Sequence, residues 1–193
     1  MKNSKTDIFS QARTCVKCAD LLPYPPNPVI QGNGNSQICV IGHAPGLRAH
    51  QTSMPFNDAS GDRLRTWLGI NKDKFYDEDL VAILPMSFCY PGKGVSGDLP
   101  PIKCCAPTWH DAILQHMQPS ITLLVGKFAQ DYYLQERHTL TERVRRWQDF
   151  LPVFLVLPHP SPRNNIWLKK NTWFEQHVLP DMRQVLKTQC DGL

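Results

Sequence analysis

Four short apolar runs constrain the fold of this chain more than any other feature of its sequence. They cover residues 38–41, 80–84, 121–125 and 153–157, and a glycine or a proline follows each run. Continuous apolar runs of this length are typical of strands that are buried on both faces. Because segments with helical signals lie between the runs, the pattern predicts a parallel sheet with helices on both sides. We therefore expect a three-layer α/β/α fold with a central, four-stranded, mainly parallel sheet, in a single domain over residues 1–193.

Local signals predict where several helices and loops begin. Ser60 is a favourable N-cap residue for a helix after the first run. Thr139, with Glu142 three residues later, forms a capping-box pattern. Pro180 is expected to kink the last helix. Several glycines and prolines in residues 86–101 predict a long loop there.

Composition and charge permit many functions and exclude few. Hydrophobic residues make up 41% of the chain and charged residues 20%, as in an ordinary soluble globular protein, with no apparent membrane-spanning run or signal peptide. The formal net charge of +4 permits a polyanionic partner without requiring one. Seven cysteines without a secretory signal favour a reducing, cytoplasmic compartment, where spaced cysteines bind metal more often than they form disulfides.

The loops after the first, second and fourth runs carry residues suited to binding a flat ring. In a parallel sheet these loops emerge at one edge, where ligands bind. They bring together an aromatic ring, two imidazoles, a carboxylate and two hydroxyls, on Phe56, His43, His159, Asp58, Ser87 and Ser161. Taken singly, a residue such as Phe56 is more often part of the core, and one such as His43 is more often a polar loop residue. The combination favours a shared crevice.

Motifs in two of these loops resemble the signature motifs of the uracil-DNA glycosylase superfamily. The first consists of Gly42-His43-Ala44-Pro45-Gly46, then Met54-Pro55-Phe56 and Ser60-Gly61, and the second is His159-Pro160-Ser161-Pro162. The similarity runs from about Cys15 to Asn165 and is closest to the iron–sulfur branches, families four and five. A His-Pro-Ser sequence alone is a weak signal, whereas both loops in order, each after an apolar run, are a specific one.

The resemblance also implies a role for four cysteines. The iron–sulfur branches have a Cys-x-x-Cys pair near the start and two more cysteines that flank the loop after the second strand. The matching residues are Cys15, Cys18, Cys89 and Cys105, which the resemblance assigns to a [4Fe–4S] cluster. The residues alone also permit a zinc site with four cysteine ligands, the less favoured alternative. Cys104 competes with Cys105 for the last ligand position.

The resemblance implies base excision, in which a base is extruded from DNA into a pocket. Phe56 would stack on the base, and His159 would donate a hydrogen bond to the base oxygen on which negative charge develops. Either His43 or Asp58 would handle the attacking water. The base would also contact residues of the loops after the first and second strands, namely Gly42, Ala44 and Ser87.

DNA phosphates are expected to bind small polar and cationic residues near the two motifs. The candidates are Ser161, Arg163, Asn164, Arg48, Lys169 and Lys170. For Lys169 and Lys170 a solvated surface is almost as good an interpretation.

Three departures from the family pattern limit what the resemblance implies. His43 stands where family four has an acidic residue, and no asparagine precedes Cys89, where family four has one that reads uracil. Arg163 takes the place of the apolar wedge that several relatives carry. The resemblance therefore does not imply strict specificity for uracil.

The sequence thus predicts a monomeric, monofunctional DNA glycosylase that removes uracil or a related deaminated base, with DNA as its partner and no membrane. Two alternatives stay open at this point. One is a non-catalytic iron–sulfur protein of the same fold that binds DNA, and the other is a hydrolase of free nucleosides or nucleotides.

Overall fold

Six strands lie in the part of the chain that the computed structural model describes, residues 7–95 and 97–190. The remaining residues of the predicted domain, 1–6, 96 and 191–193, lie outside the described part. The strands are β1 (Ile38–Ile41), β2 (Val81–Ile83), β3 (Lys93–Gly94), β4 (Gly97–Asp98), β5 (Ile121–Val125) and β6 (Phe154–Leu157).

The four predicted runs form one parallel sheet, in the order β2-β1-β5-β6. Every residue of β1, β2 and β5 is buried. Because successive strand residues point to opposite faces, complete burial requires cover on both sides of the sheet. The predicted α/β fold with a four-stranded parallel sheet is therefore confirmed.

Nine α-helices lie between and after the strands in the described ranges. They are α1 (Ile8–Arg13), α2 (Leu47–Thr52), α3 (Ala59–Leu68), α4 (Lys72–Phe75), α5 (Asp111–Met117), α6 (Lys127–Leu134), α7 (Leu140–Arg145), α8 (Asn165–Lys170) and α9 (Leu179–Gln189). Short π-helical turns, Ala106–His110 and Phe174–Val178, lead into α5 and α9. No helix within these ranges is long and apolar enough to cross a bilayer.

The helix boundaries confirm one predicted cap and correct another. Thr139 and Glu142 exchange both capping-box hydrogen bonds at the start of α7, as predicted. The prediction for Ser60 is wrong, because Asp58 caps α3 by accepting a hydrogen bond from the Gly61 amide at 3.0 Å. Pro180 is the second residue of α9, directly after a π-helical turn, so the last helix is irregular at this point.

The predicted loop over residues 86–101 contains a small hairpin that the sequence analysis missed. Strands β3 and β4 pair antiparallel, with Lys93 opposite Asp98 and Gly94 opposite Gly97. Each strand has only two residues and includes a glycine, so neither alternation nor β propensity marks it in the sequence.

A buried histidine fixes the chain where it leaves β2. His110 is fully buried; its ring stacks on that of Phe88 and lies nearly parallel to that of Tyr133. Its Nε2 lies 3.2 Å from the Pro85 carbonyl, which can only accept, so we assign the hydrogen to Nε2. Nδ1 then accepts from the Tyr133 hydroxyl at 2.7 Å. Burial lowers the pKa of His110 to about 4, so the ring is neutral at neutral pH.

We expect a His110→Gln variant to be less sensitive to acid than the parent protein. His110 stays neutral when folded but takes up a proton on unfolding below its ordinary pKa of 6.5. The unfolded state therefore binds more protons, and stability falls as the pH falls from about 6.5 towards 4. Between pH 7 and pH 5 this amounts to about 2 kcal/mol. Urea unfolding at both pH values measures the difference.

His177→Gln is the matched control, because His177 is exposed on the turn before α9. This variant should lose as much stability between pH 7 and pH 5 as the parent does. If His110→Gln loses just as much, the assignment of a neutral buried imidazole is wrong.

Candidate active site

The loops after β1 and β2 are held together by their backbones. The Gly42 carbonyl accepts a hydrogen bond from the Met86 amide at 3.0 Å, and the His43 carbonyl accepts one from the Ser87 amide at 3.3 Å. These bonds extend the parallel pairing of β1 and β2 beyond the strands themselves. The first loop therefore has a fixed position at the carboxyl edge of the sheet.

Phe56 adopts a backbone conformation that is rare for an aromatic residue. Its φ angle is 52°, in the left-handed region. Its carbonyl accepts from the Tyr76 hydroxyl at 3.3 Å and from the Arg65 guanidinium at 3.5 Å, and its ring packs edge-to-face on Phe75. A Cβ atom at Gly42 would lie 3.2 Å from Phe56 Cζ. The ring is thus fixed against the backbone of the first loop.

Gly61 makes this conformation of Phe56 possible. A Cβ atom at Gly61 would overlap with the backbone carbonyl of Phe56. The first turn of α3, which Asp58 caps through the Gly61 amide, therefore packs directly on the backbone that carries the aromatic ring.

His159 follows β6, and its loop is held from three directions. The Ser161 amide donates to His159 Nδ1 at 3.2 Å, and the Asn164 side-chain amide donates to the His159 carbonyl at 2.7 Å. From α3, the Arg63 guanidinium donates to the carbonyls of Pro160 and Ser161, both at 3.2 Å. These contacts fix both the loop and the orientation of the imidazole ring.

The protonation of His159 follows from these contacts. Because Nδ1 accepts from an amide, the neutral ring carries its hydrogen on Nε2. Burial, with a smaller contribution from His43, lowers the pKa of His159 to about 4. At neutral pH the ring is therefore an uncharged donor through Nε2.

His43 lies beside His159 and faces a second aromatic ring. The two imidazole centroids are 6.4 Å apart, and the Phe128 ring, at the start of α6, meets His43 edge-on at 5.0 Å. Burial lowers the pKa of His43, and the negative charge of Asp98 partly opposes this shift.

These residues surround a cavity of about 530 Å³ at the carboxyl edge of the sheet. Its volume is within the usual range for small-molecule sites. Nine residues predicted for the site line it: Gly42, His43, Ala44, Phe56, Asp58, His159, Ser161, Arg163 and Asn164. The aromatic ring and the imidazole from distant parts of the sequence thus face one cavity.

Four residues predicted to bind the base or the DNA are not among those that line the cavity. Ser87 is buried, and its hydroxyl donates to the Cys89 carbonyl at 3.1 Å. The prediction that Ser87 reads the base is corrected, because its side chain faces the cysteines, while its backbone amide binds the His43 carbonyl. Arg48 and Lys169, like Lys170, are exposed on α2 and α8, outside the cavity lining.

Sequence reasoning missed three residues at the site. Arg63 holds the His159 loop, Phe128 contacts His43, and Asp98 lines the cavity from β4. Arg63 lies two residues after Gly61 of the first motif but contacts the second motif, 97 and 98 residues later in the chain, and Asp98 lies far from both motifs in sequence. Phe128 could have been predicted from the sequence, because it follows β5 and Gly126 and must therefore lie at the carboxyl edge of the sheet, where ligands bind.

The four cysteines assigned to a metal centre line a second, smaller cavity. Cys15, Cys18, Cys89 and Cys105 all face it. Cys18 forms a disulfide with Cys104, and their Cα atoms are 7.7 Å apart. In the described ranges, no three His, Cys, Asp or Glu residues are arranged as a metal site.

Hydrogen-bond donors point at two of the cysteine sulfurs. The Phe88 amide donates to Cys105 Sγ at 3.4 Å, and the Asn27 backbone amide donates to the Cys89 thiol. Burial nevertheless raises the pKa of Cys89 to about 11 and also raises that of Cys105. Both sulfurs are therefore protonated thiols at neutral pH unless a metal cation ionises them.

The fold and the main cavity together define an α/β protein with a cavity of small-molecule size at the carboxyl edge of a parallel sheet. The family model described as the Uracil DNA glycosylase superfamily matches residues 29–183. This match covers most of the chain, and the chain belongs to that superfamily. Since the family acts on DNA, membership supports a glycosylase type of function.

We expect Gly61→Ala to destabilise the protein strongly. The new Cβ atom would overlap with the Phe56 carbonyl, a backbone group that cannot move without disturbing α3. The free energy of unfolding in urea should fall by about 3 kcal/mol.

Gly46→Ala serves as the control for this substitution. At Gly46 a Cβ atom would make only an ordinary contact, 3.6 Å from Asp98 Oδ2, and the backbone φ is −77°. This variant should lose less than about 1 kcal/mol. Equal stability losses in the two variants would show that the packing of α3 on Phe56 is not tight.

Proposed function

We propose that the protein is a monofunctional DNA glycosylase that hydrolyses the N-glycosidic bond of uracil or a related deaminated base. The observation that carries this proposal is that Phe56 and an uncharged His159 donor line the same cavity. A base inside a duplex cannot reach such a cavity, so it must first be extruded, at a cost of a few kcal/mol.

Each side of the cavity has a chemical task in this proposal. Phe56 stacks on one face of the extruded ring, and backbone amides of the first loop, at Gly42 and Ala44, line its edge. His159 Nε2–H donates to the base oxygen on which negative charge accumulates as the glycosidic bond breaks. A donor held in place before the reaction stabilises this developing charge without reorganisation.

Hydrolysis by water suits the residues around the cavity. The cavity lining in the described part of the chain includes no lysine, the usual nucleophile for a covalent Schiff-base step. The electron pair of the broken bond leaves with the base, and the oxygen of water becomes bonded to the sugar C1′. His43 and Asp58 remain the proposed groups near this water, although the Asp58 carboxylate is engaged as the cap of α3.

The DNA backbone is proposed to cross the mouth of the cavity near the His159 loop. Arg163 is exposed there, and its guanidinium packs over Gly97 of the hairpin. Ser161 and Asn164 are proposed to face a DNA phosphate. Their side chains also stabilise the His159 loop, because each makes a hydrogen bond to the backbone of that loop. Arg48 and Lys169 add positive charge farther out, which would make DNA affinity fall with rising salt.

A metal centre is proposed at the second cavity, with a [4Fe–4S] cluster favoured over zinc. The chemistry of the donor set fits either group, since Cys15, Cys18, Cys89 and Cys105 line one cavity and amides point at two of the sulfurs, although the four are not arranged as a metal site in the described ranges. Cys18 binds a metal only as a free thiolate, so the proposal requires its disulfide with Cys104 to be reduced; the Cα separation of that pair, 7.7 Å, exceeds the roughly 4.4–6.8 Å usual for a disulfide. Such a centre would tie the N-terminal segment to the loop after β2 and would take no part in base release.

Base release from oligonucleotides tests the proposed activity directly. Purified protein is incubated with single- and double-stranded DNA containing uracil, hypoxanthine or xanthine, and alkali then cleaves the abasic sites. The parent should release at least one of these bases. His159→Ala should lower the turnover number about 10²- to 10³-fold, because it removes the donor to the developing anion.

His177→Ala, on the exposed surface, should match the parent in the same assay. If no substrate yields abasic sites while an established uracil-DNA glycosylase cuts, the proposal fails. If the parent releases no base but binds DNA in a salt-dependent way, and His159→Ala binds equally well, the protein is a non-catalytic binder. Release from free nucleosides alone would identify a nucleoside hydrolase.

Anaerobic purification tests the metal centre. We expect brown protein with about four iron atoms per chain, and Cys89→Ala should lose iron and melt at a lower temperature. Cys39→Ala is the control, because Cys39 is buried in β1, outside the cysteine cavity. If the protein contains one zinc ion and no iron, the cluster assignment is wrong and the zinc site is correct. If Cys89→Ala keeps all of its iron, Cys89 is not a ligand.

A further inference from the structure

Asp98 brings to the cavity a carboxylate that neither sequence motif contains. It lies on β4 of the small hairpin and lines the same cavity as His43 and His159. Its Oδ2 atom lies 3.6 Å from the position that a Cβ atom would take at Gly46. The carboxylate therefore stands over the end of the first loop, on the His43 side of the cavity.

Two contacts hold Asp98 in this place. The Tyr90 hydroxyl hydrogen-bonds to the Asp98 carboxylate. The Arg163 guanidinium packs on Gly97, the preceding residue, whose φ of 138° suits glycine alone. The hairpin is thus fixed both to the chain after Cys89 and to the loop after His159.

Asp58, the other carboxylate at the cavity, is occupied elsewhere. Its Oδ1 atom accepts the Gly61 amide at the start of α3, and its charge acts on the Tyr76 hydroxyl, which binds the carbonyls of Pro55 and Phe56. The charge of Asp98, in contrast, acts on His43. The two carboxylates therefore serve different sides of the site.

We propose that His43 and Asp98 act as a dyad on the hydrolytic water, with His43 as the general base and Asp98 as its positioning residue. This inference rests on the proposed glycosylase function. Within the described residues the two side chains make no ion pair within 4.0 Å, so the carboxylate acts on the imidazole through its charge and not through a direct contact. Its negative charge stabilises the positive charge that the imidazole acquires.

The step balances without any further reactant. The water oxygen forms a bond to the sugar C1′ while the glycosidic bond breaks, and the electron pair of that bond leaves with the base. The water proton passes to the His43 imidazole and later to solvent or to the departed base. His159 donates a hydrogen bond to the base throughout. His159 therefore acts on the leaving group, and His43 acts on the attacking water.

The groups that face His43 define its pH dependence. They are Asp98 from β4, the neutral His159 from the loop after β6 and the uncharged Phe128 ring from α6. His43 must be neutral to accept a proton, so activity should rise with pH through the His43 pKa. Because Asp98 opposes the lowering of that pKa, its removal should move the rising limb to lower pH.

The test compares Asp98→Asn with the parent by kinetics and by NMR. We expect the turnover number to fall about 10-fold with little change in KM, and His43→Ala to cost about 100-fold. The histidine titration followed by ¹⁵N NMR should show a lower pKa for His43 in Asp98→Asn. Asp98→Glu, which keeps the carboxylate, should recover part of the rate.

Asp73→Asn is the matched control, because Asp73 is exposed on α4, away from the cavity. It should leave both rate and titration unchanged. If the parent releases base but Asp98→Asn equals it in rate, or leaves the His43 titration in place, the dyad is overturned while the glycosylase function stands. If the parent releases no base from any substrate, the glycosylase function fails, and the dyad fails with it.

Discussion

The parallel pairing of β1 with β2 is the interaction on which the rest of the site depends. The pairing does not stop at the strand ends, because the carbonyls of Gly42 and His43 accept hydrogen bonds from the amides of Met86 and Ser87. The loop after β1 is therefore anchored residue by residue. A loop anchored in this way can hold an aromatic side chain and an imidazole in place before any ligand arrives.

The segment after β2 that takes part in this pairing separates the main cavity from the cysteine cavity. At Ser87 the backbone amide binds the His43 carbonyl, while the hydroxyl turns away towards Cys89. The next residue, Phe88, donates its amide to Cys105 and stacks on His110, which in turn binds the Pro85 carbonyl at the wall of the main cavity. A single short segment thus supports the main cavity on one side and the cysteines on the other.

Features governed by local sequence could be predicted, and features governed by long-range contacts could not. The four buried strands and the capping box of Thr139 and Glu142 were predicted correctly, because each depends on neighbouring residues. The cap of α3 was misplaced because two capping residues, Asp58 and Ser60, lie close together in the sequence. Ser87 was placed at the wrong cavity because its orientation depends on the pairing with the first loop.

The residues that complete the site illustrate the same limit. Arg63 reaches carbonyls 97 and 98 residues later in the chain, and nothing in its own neighbourhood indicates that contact. Asp98 lies on a strand of two residues, Gly97–Asp98, whose position over the first loop follows from Tyr90 and from the packing of Arg163. The two motifs identified the aromatic ring and the imidazoles, but not the residues that hold them.

The placement of the carboxylate has an electrostatic consequence for the proposed reaction. A departing base carries negative charge, and a carboxylate in the first loop would repel it as well as activate water. Here His43 occupies that loop and is neutral until it takes a proton, while the negative charge stands on the exposed hairpin. In the proposed dyad the imidazole becomes positive only as the base becomes negative. The nearby charge then stabilises the leaving group instead of opposing it.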